Sequence, residues 1–172
     1  MDQLILIVLI LALLSIVWII HLFLKKAEVR EIKFLQIELK KQRQEFFLPN
    51  RFQAYQQAIL FLERIHPNNL VLRLNKPGIA ARVLQTEMLK NIREEYDQNV
   101  VHQLFLSSTA WGMIKKSRED VVRIINLAGD QMSETSTSLE FSVKIFEMLS
   151  QLETLTVEVS IDFVKGEFQD NL

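Results

Sequence analysis

The chain has 172 residues, a formal net charge of −1 and no cysteine. Disulfide bonds, thiolate metal sites and cysteine nucleophiles are therefore excluded. Hydrophobic residues make up 49% of the sequence, whereas only four glycines and three prolines are present. So few turn-forming residues favour helices joined by short links over an all-β fold, and the sequence predicts an all-α protein.

The first predicted element is the uncharged apolar run LILIVLILALLSIVWIIHLFL over residues 4–24. A helix of this length would extend about 31 Å, which matches a hydrocarbon core of about 30 Å. A cleaved signal peptide would need a basic segment, a shorter apolar run and a small-residue cleavage site, and these are absent from the sequence. We therefore expect residues 1–24 to form a retained transmembrane anchor in the lipid bilayer.

The charges beside the apolar run predict its orientation. Only Asp2 precedes it, whereas Lys25, Lys26, Arg30 and Lys33 follow it directly. Basic residues next to a transmembrane helix favour the cytoplasmic side of the membrane. We therefore expect a single-pass protein with its N-terminus outside and its C-terminal domain in the cytoplasm.

A charged helical stalk is predicted over residues 25–48. Residues 25–45 contain seven lysines and arginines against four glutamates, a net charge of +3. Ile32, Leu35 and Leu39 form a weak apolar stripe along this helix. The stalk could be a solvated helix, could contact anionic lipid, or could pair with a second copy. A homo-oligomer formed through the anchor and the stalk is therefore one possible assembly.

Residues 49–172 are predicted to fold as a compact cytoplasmic bundle of about five helices. Pro49 suits the first turn of the first helix, and Pro67 predicts the end of that helix near His66. For residues 70–74 the sequence leaves three alternatives, because alternating leucines fit a short strand, a short helix or an extended link.

Capping residues and apolar stripes predict the remaining helices. Ser107 or Ser108 is expected to cap one helix, Gly129 to lie near its end, and Thr137 with Glu140 to form a capping box for the next. The faces expected to be buried are Val83, Met88, Leu89, Ile92, Tyr96 and Val100; Trp111, Ile114, Val121, Ile125 and Ala128; Leu139, Val143, Phe146, Leu149 and Leu152; and Val157, Ile161, Val164 and Phe168.

One pair of residues has the spacing of metal ligands. Glu63 and His66 lie three positions apart on a predicted helix, as Glu-x-x-His ligands do in di-iron helical bundles. Those sites need a second such motif and two further glutamates, and the second motif is absent from the sequence. We therefore expect His66 to be structural, and we expect no metal and no cofactor.

Other functional signatures are also missing from the sequence. It contains no glycine-rich phosphate loop, no nucleophile elbow and no two-histidine zinc helix. Glu94 and Glu95 are adjacent, so on a helix they should point apart, toward solvent. Beyond residue 45 the chain carries 13 basic against 16 acidic residues, a net charge of −3 that opposes nucleic-acid binding. We expect neither an enzyme nor a nucleic-acid-binding protein.

Three stretches carry a family resemblance: RFQAYQQAILFLERIHPNNLVLRL, IREEYDQNVVHQLFLSSTAWGMIKKSREDVVRIIN and LEFSVKIFEML. With the apolar run before them, they resemble a family of small single-pass membrane-anchored helical proteins of unknown function, found mainly in Bacteroidota. Its most specific residues are Arg51, Ala54, Tyr55, Glu63, Arg64, Pro67, Asn68, Asn69, Glu94, Glu95 and Trp111. The resemblance implies the inner membrane as location and the layout given above, and it implies no catalytic residue.

The expected function is that of a non-enzymatic interaction or assembly module, which presents the bundle to an unidentified protein partner at the cytoplasmic face. The alternative is an accessory subunit or scaffold of a larger membrane complex, bound through its transmembrane helix. Candidate interaction residues are Arg51, Tyr55, Glu63, Arg64 and Trp111. Glu63 and Arg64 could instead clamp the turn at residues 67–69, which we favour, and Trp111 is expected to be buried.

Overall fold

A computed structural model of the chain describes the backbone of residues 2–170 and the side chains in that range, except those of residues 2–12, 17, 22, 24 and 27–30. Regular structure in the described residues is helical, apart from an isolated antiparallel bridge between Ala80 and Thr137. The all-α class is therefore confirmed. The chain divides into two compact units, Met1–Leu48 and Pro49–Leu172.

The helices are α1 (Asp2–Ile65), α2 (Pro67–Leu74), α3 (Ala81–Asn99), a 3₁₀ helix (Val100–Leu104), α4 (Ser108–Asp130), α5 (Ser138–Ser150) and α6 (Thr156–Asp170). The described part of the unit Pro49–Leu172 thus holds the end of α1, five further α-helices and the 3₁₀ helix. About five helices were predicted, and α2 is the additional one.

Helix α1 runs through Pro49, so the expectation that a new helix begins there is wrong. Proline lacks the N–H that would bond the carbonyl of residue 45. Glu45 and Pro49 are both exposed, which leaves that carbonyl open to water. The end of α1 at Ile65 agrees with the end predicted from Pro67.

Within the described residues, no helix is both long enough and apolar enough to cross a membrane. The anchor predicted over residues 4–24 falls largely on side chains that lie outside the described residues. The backbone of these residues belongs to α1.

Residues 70–74 belong to helix α2, so the strand and the extended link are excluded. Leu70 and Val71 are buried whereas Leu72 is exposed, which fits a helix because a strand would place Leu70 and Leu72 on one side. Pro67 occupies the first helical position, where no N–H is needed. The side-chain amide of Asn69 donates to the carbonyl of Glu63 (2.8 Å) and fastens α2 to the end of α1.

Helix α4 is central to the core of the unit Pro49–Leu172, since it packs against α3, α5 and α6. Ser107 caps it by accepting a hydrogen bond from the N–H of Ala110 (3.0 Å). Its predicted apolar face is buried, and Ser117 on the same face hydrogen-bonds the hydroxyl of Ser160 on α6 (2.8 Å). These small side chains let α4 and α6 approach closely while their polar groups stay satisfied.

The face predicted for α3 is correct in its middle and wrong at its ends. Met88 and Ile92 are buried, but Val83 is exposed and Leu84 takes the core position beside it. Val100 is exposed because α3 ends at Asn99, and the tighter 3₁₀ helix that follows turns its side chains to other directions.

In α5 the face predicted to be buried is largely exposed: Leu139 by 66%, Val143 by 47%, Phe146 by 39% and Leu152, just past the helix, by 47%. The buried face is formed by Ser138, Phe141, Ser142 and Ile145 instead. Both serine hydroxyls donate hydrogen bonds to backbone carbonyls: Ser138 to Lys76 in the link between α2 and α3 (3.2 Å), and Ser142 to Ser138 within its own helix (2.7 Å). The prediction failed because α5 carries two apolar stripes and the one interrupted by serines is the one that packs.

Both other sequence predictions for this end of the chain are confirmed. Thr137 and Glu140 form the capping box of α5: the Glu140 N–H donates to the Thr137 hydroxyl, and the Thr137 N–H donates to the Glu140 carboxylate (2.7 Å). In α6, Val157, Ile161 and Val164 are buried, and Phe168, also predicted for this face, is partly buried against the core.

Candidate interaction surface

The α5 outer face comprises Leu139, Val143, Phe146, Leu149 and Leu152. Its members are spaced three or four residues apart and so lie along one side of the helix and its C-terminal extension. Leu149 is half-buried and packs against the core, which joins the face to the interior. The other four side chains are exposed. Contiguous exposed apolar side chains of this kind are typical of binding surfaces.

Two clefts adjoin the C-terminal end of the α5 outer face. The first, of about 440 Å³, includes Phe146, Leu149, Leu152, Leu155 and Asn68 of α2 in its wall. The second, of about 570 Å³, reaches α4 and is lined by Leu127, Met148, Leu152 and Leu155 among others. Because Leu152 and Leu155 belong to both clefts, the apolar surface continues from α5 to α4.

Acidic groups border the first cleft. Glu153 and Glu158 line it, and the Nε2 atom of His66 lies 3.6 Å from a carboxylate oxygen of Glu158. On the outer side of α5, Lys144 is paired with Glu147 (3.4 Å). The cleft therefore places a few apolar side chains beside two carboxylates in a mainly polar lining, which favours a ligand that carries a positive charge next to apolar groups.

The ligand-spaced pair Glu63 and His66 does not form a joint site. Glu63 is exposed and offers its backbone carbonyl to Asn69, whereas His66 turns to Glu158 on α6. Among the residues that the structure describes, no three or more histidine or acidic side chains converge in a way that could hold a metal ion.

Arg64 reaches across to α3 rather than to the turn beside it. Its Nε atom lies 3.1 Å from the carboxylate of Glu95, which Arg73 of α2 also approaches to 3.6 Å. Glu95 is only 8% exposed, so its expected place on a solvated face is wrong, whereas Glu94 is exposed. Glu95 lies three residues after the buried Ile92 and shares its face.

The turn at residues 67–69 is fastened to α1 by other groups. Besides the amide of Asn69, the guanidinium of Arg73 donates to the carbonyl of Arg64 (3.1 Å) and to the side chain of Asn91 on α3 (2.6 Å). The side chains of Asn69 and Arg73 thus make the clamp that was expected from Glu63 and Arg64. Glu63 and Arg64 contribute only their backbone carbonyls to it.

Tyr55 and Arg51 lie where α1 packs on α6. The buried Tyr55 hydroxyl donates to the carboxylate of Glu167, which also accepts a hydrogen bond from the hydroxyl of Ser107. Arg51 lies 6.0 Å from the centre of the Tyr55 ring. Burial, followed by the contact with Glu167, raises the pKa of Tyr55. This arrangement joins α1, α4 and α6.

Trp111 is buried, as expected, and stacks on Tyr96 with ring centres 5.6 Å apart. The guanidinium of Arg118 lies 4.1 Å from the Tyr96 ring centre, a cation–π distance. Arg118 and Arg123 line a cleft of about 750 Å³ between α3 and α4. Arg123 is paired with Asp120 at 2.8 Å, and Arg118 lies 3.7 Å from Glu119. Two of the three arginines that line this cleft are thus close to a carboxylate, and the third is Arg93.

The five candidate interaction residues therefore lie in separate environments. Tyr55 contacts α6 and Arg51 lies beside the Tyr55 ring, Glu63 and Arg64 lie at the end of α1, and Trp111 is inside the core. Sequence reasoning missed the α5 outer face as a surface. The signal that could have found it is the presence of two apolar stripes on one short helix, of which a small bundle can bury one.

The fold and this surface define an all-helical protein with an exposed apolar helix face. The chain belongs to the Family of unknown function (DUF7935), whose family model matches residues 2–171. No curated protein matches the chain, and no solved structure does. The resemblance to a family of unknown function is confirmed in that respect.

Proposed function

We propose that the protein is a non-enzymatic, membrane-anchored interaction module whose α5 outer face binds a protein partner at the cytoplasmic side of a bacterial inner membrane. The observation that carries this proposal is the exposed apolar stripe on α5, which adjoins a cleft with a mainly apolar lining that reaches α4. A helix exposed on an apolar side loses the free energy that burial would provide, and a bound partner would recover it.

The anchor rests on the sequence of residues 4–24. The run has 21 residues and no formal charge, enough to span a hydrocarbon core of about 30 Å as a helix. The backbone of α1 is helical over all of these residues, as a transmembrane segment requires. Lys25, Lys26, Arg30 and Lys33 directly after the run favour a cytoplasmic bundle.

The chemistry of the α5 outer face narrows the kind of partner. Phe146, Leu149 and Leu152 offer apolar contacts, while Glu153 and Glu158 offer negative charge at the edge of the same cleft. An amphipathic helix with a basic residue beside its apolar stripe satisfies both, because its apolar side chains enter the groove and its charge meets the carboxylates. The partner is thus proposed to present a basic amphipathic segment.

The alternative function, an accessory subunit bound through its transmembrane helix, predicts a different dependence on residues. Under that alternative, charged substitutions on the α5 outer face leave the partner bound, and only changes in residues 4–24 release it. Under our proposal, Phe146→Glu releases the partner while the chain stays in the membrane. Affinity purification of both kinds of variant from detergent-solubilised membranes distinguishes the two functions.

Membrane attachment and orientation are tested separately from binding. We expect the full chain to sediment with membranes and to resist extraction at alkaline pH, and a variant without residues 4–24 to stay in the supernatant. A reporter that is active only in the periplasm should be silent when fused after Leu172. An active reporter would overturn the proposed orientation, and a full chain in the supernatant would overturn the anchor.

A further inference from the structure

The stalk portion of α1, residues 25–48, carries an exposed apolar stripe of its own. Ile32 is exposed by 56%, Leu35 by 53%, Leu39 by 55% and Phe46 by 68%. These residues belong to the unit Met1–Leu48 and are described in full. Other apolar side chains of this segment, such as Phe34 and Ile37, are equally exposed, so the spacing of the stripe, and not exposure by itself, indicates pairing with another helix.

The stripe follows a heptad repeat. Ile32, Leu39 and Phe46 are seven residues apart and take position a, while Leu35 and Gln42 take position d. Alternating spacings of three and four keep these side chains on one seam when two helices coil around each other. The polar Gln42 in the middle of the seam suits a role in fixing the register, as single polar seam residues do in coiled coils.

The charges beside the seam select the orientation of the partner helix. Within residues 31–46, position g is glutamate at each of its three occurrences, Glu31, Glu38 and Glu45, whereas position e is Gln36 and then Arg43. In a parallel pair, position g of one helix lies beside position e of the next heptad on the other, so Glu38 meets Arg43. In an antiparallel pair g would lie beside g, and glutamates would face glutamates.

We propose that the occupant of this stripe is a second copy of the chain, and that two stalks form a parallel, in-register coiled coil over residues 31–46. Two Glu38–Arg43 pairs, one on each side of the seam, fix the alignment. Among the described side chains of one copy, neither Glu38 nor Arg43 forms an ion pair, which leaves both charges available to a second helix.

Two heptads bury only a short seam, and the proposed anchor adds to its stability. Two copies held in one membrane with the same orientation meet at a high effective concentration and already parallel. In this respect the inference rests on the proposed anchor, whereas the residues that pair are independent of the α5 outer face.

The absence of native cysteine allows a direct test in membranes that contain the full chain. Leu39→Cys places a thiol at the seam. Ile37→Cys places one at position f, on the opposite side of the same helix, where the side chain is exposed to a similar degree. After mild oxidation we expect Leu39→Cys to form a disulfide-linked dimer at least fivefold more efficiently than Ile37→Cys. Equal yields at the two positions would overturn the proposal.

Charge exchange in the Leu39→Cys background tests the parallel register. Glu38→Lys and Arg43→Glu should each lower the dimer yield, because each places like charges opposite each other. When Glu38→Lys and Arg43→Glu chains with different tags are expressed together, each should crosslink to the other more than to its own kind. A chain that carries both substitutions should recover the dimer yield of the Leu39→Cys parent. Failure of both recoveries would contradict a parallel pair.

The same samples separate failure of the inference from failure of the anchor. Fractionation before oxidation reports whether the chain is in the membrane, and the crosslinking yield reports pairing in whichever fraction contains it. A membrane-bound chain without seam crosslinking overturns only the coiled coil. A chain in the supernatant overturns the anchor, and seam crosslinking there would leave the coiled coil standing.

Discussion

Arg64, in the last turn of α1, holds the carboxylate of Glu95 on α3 with its Nε atom 3.1 Å from the nearer oxygen. The same oxygen lies 3.6 Å from Arg73 on α2, so one carboxylate joins three helices. Glu95 is buried, whereas its two arginines are partly exposed. The buried carboxylate therefore depends on this pairing for its polar contacts, whereas water can solvate the two arginines without it.

The two arginines should differ in their contribution to stability. Arg64→Ala removes one partly exposed ion pair and should lower the free energy of unfolding by about 0.5–1 kcal/mol. Arg73→Ala removes its ion pair and the hydrogen bonds to Asn91 and to the Arg64 carbonyl, and should cost about 1–2 kcal/mol. Urea denaturation of the two variants checks the order, and an equal or reversed order would contradict this account of the α1–α2–α3 junction.

The orientation of α5 makes a matched pair of phenylalanines behave differently. Phe141 is completely buried and Phe146 is 39% exposed on the same helix. Phe141→Ala should cost about 3–5 kcal/mol of unfolding free energy through the cavity it leaves, and Phe146→Ala less than about 1 kcal/mol. Thermal or urea denaturation measures both. A large loss at Phe146 with a small loss at Phe141 would mean that α5 packs through its other face.

We expect the protein to lose stability in alkaline solution because of the raised pKa of Tyr55. Burial, and then Glu167, raise its pKa above the ordinary 10.0, so the folded state retains the phenolic proton that the unfolded state releases. The stabilisation is fully present below pH 10.0 and is lost as the pH rises above that value toward the folded-state pKa. Tyr55→Phe should cost about 1 kcal/mol at neutral pH and should lose less stability than the wild type above pH 10.0. Urea denaturation at increasing pH gives the comparison, and parallel pH curves would refute the assignment.

Gly129, inside α4, lies against the side chain of Gln85 on α3, and an added Cβ would collide with that side chain. Gln85 is held there by Asn126 (3.2 Å) and Arg82 (3.1 Å). The colliding atoms are the end of a flexible side chain, so Gln85 can turn away at the loss of its two hydrogen bonds while alanine gains helix propensity, and we expect Gly129→Ala to cost less than about 1 kcal/mol. In a Gln85→Ala background the collision disappears, and the same change should be neutral or stabilising because alanine favours helix. A cost that is unchanged in the double variant would contradict the contact.

Local signals in the sequence were sufficient for much of the fold. Ser107 as a cap, the Thr137–Glu140 box and the helix end before Pro67 depend on hydrogen bonds or steric effects within a few residues, so each could be predicted from neighbours alone. Pro49 shows the limit of that reasoning, since an exposed helix can continue through a proline when water can reach the released carbonyl.

The surface and its neighbouring contacts could not be predicted in the same way. Choosing between the two apolar stripes of α5 requires knowing where α3 and α4 lie, because these two helices pack against α5 and decide which of its sides is buried. The contact of Tyr55 with Glu167 spans 112 residues, and Glu95 receives its arginines from two other helices. Pairings at such sequence distances leave no periodic signal in a single sequence.

The central claim is that the α5 outer face binds a protein partner, and site-specific photo-crosslinking in intact membranes tests it most directly. A photoreactive amino acid placed at Leu139 is compared with one at Leu104, a leucine that is 77% exposed on the 3₁₀ helix and lies outside both clefts. The account predicts one discrete adduct from Leu139 that is absent from Leu104 and is lost when Phe146→Glu or Glu153→Lys is added. Identical adduct patterns at the two positions, or an adduct from Leu139 that survives both substitutions, would contradict it.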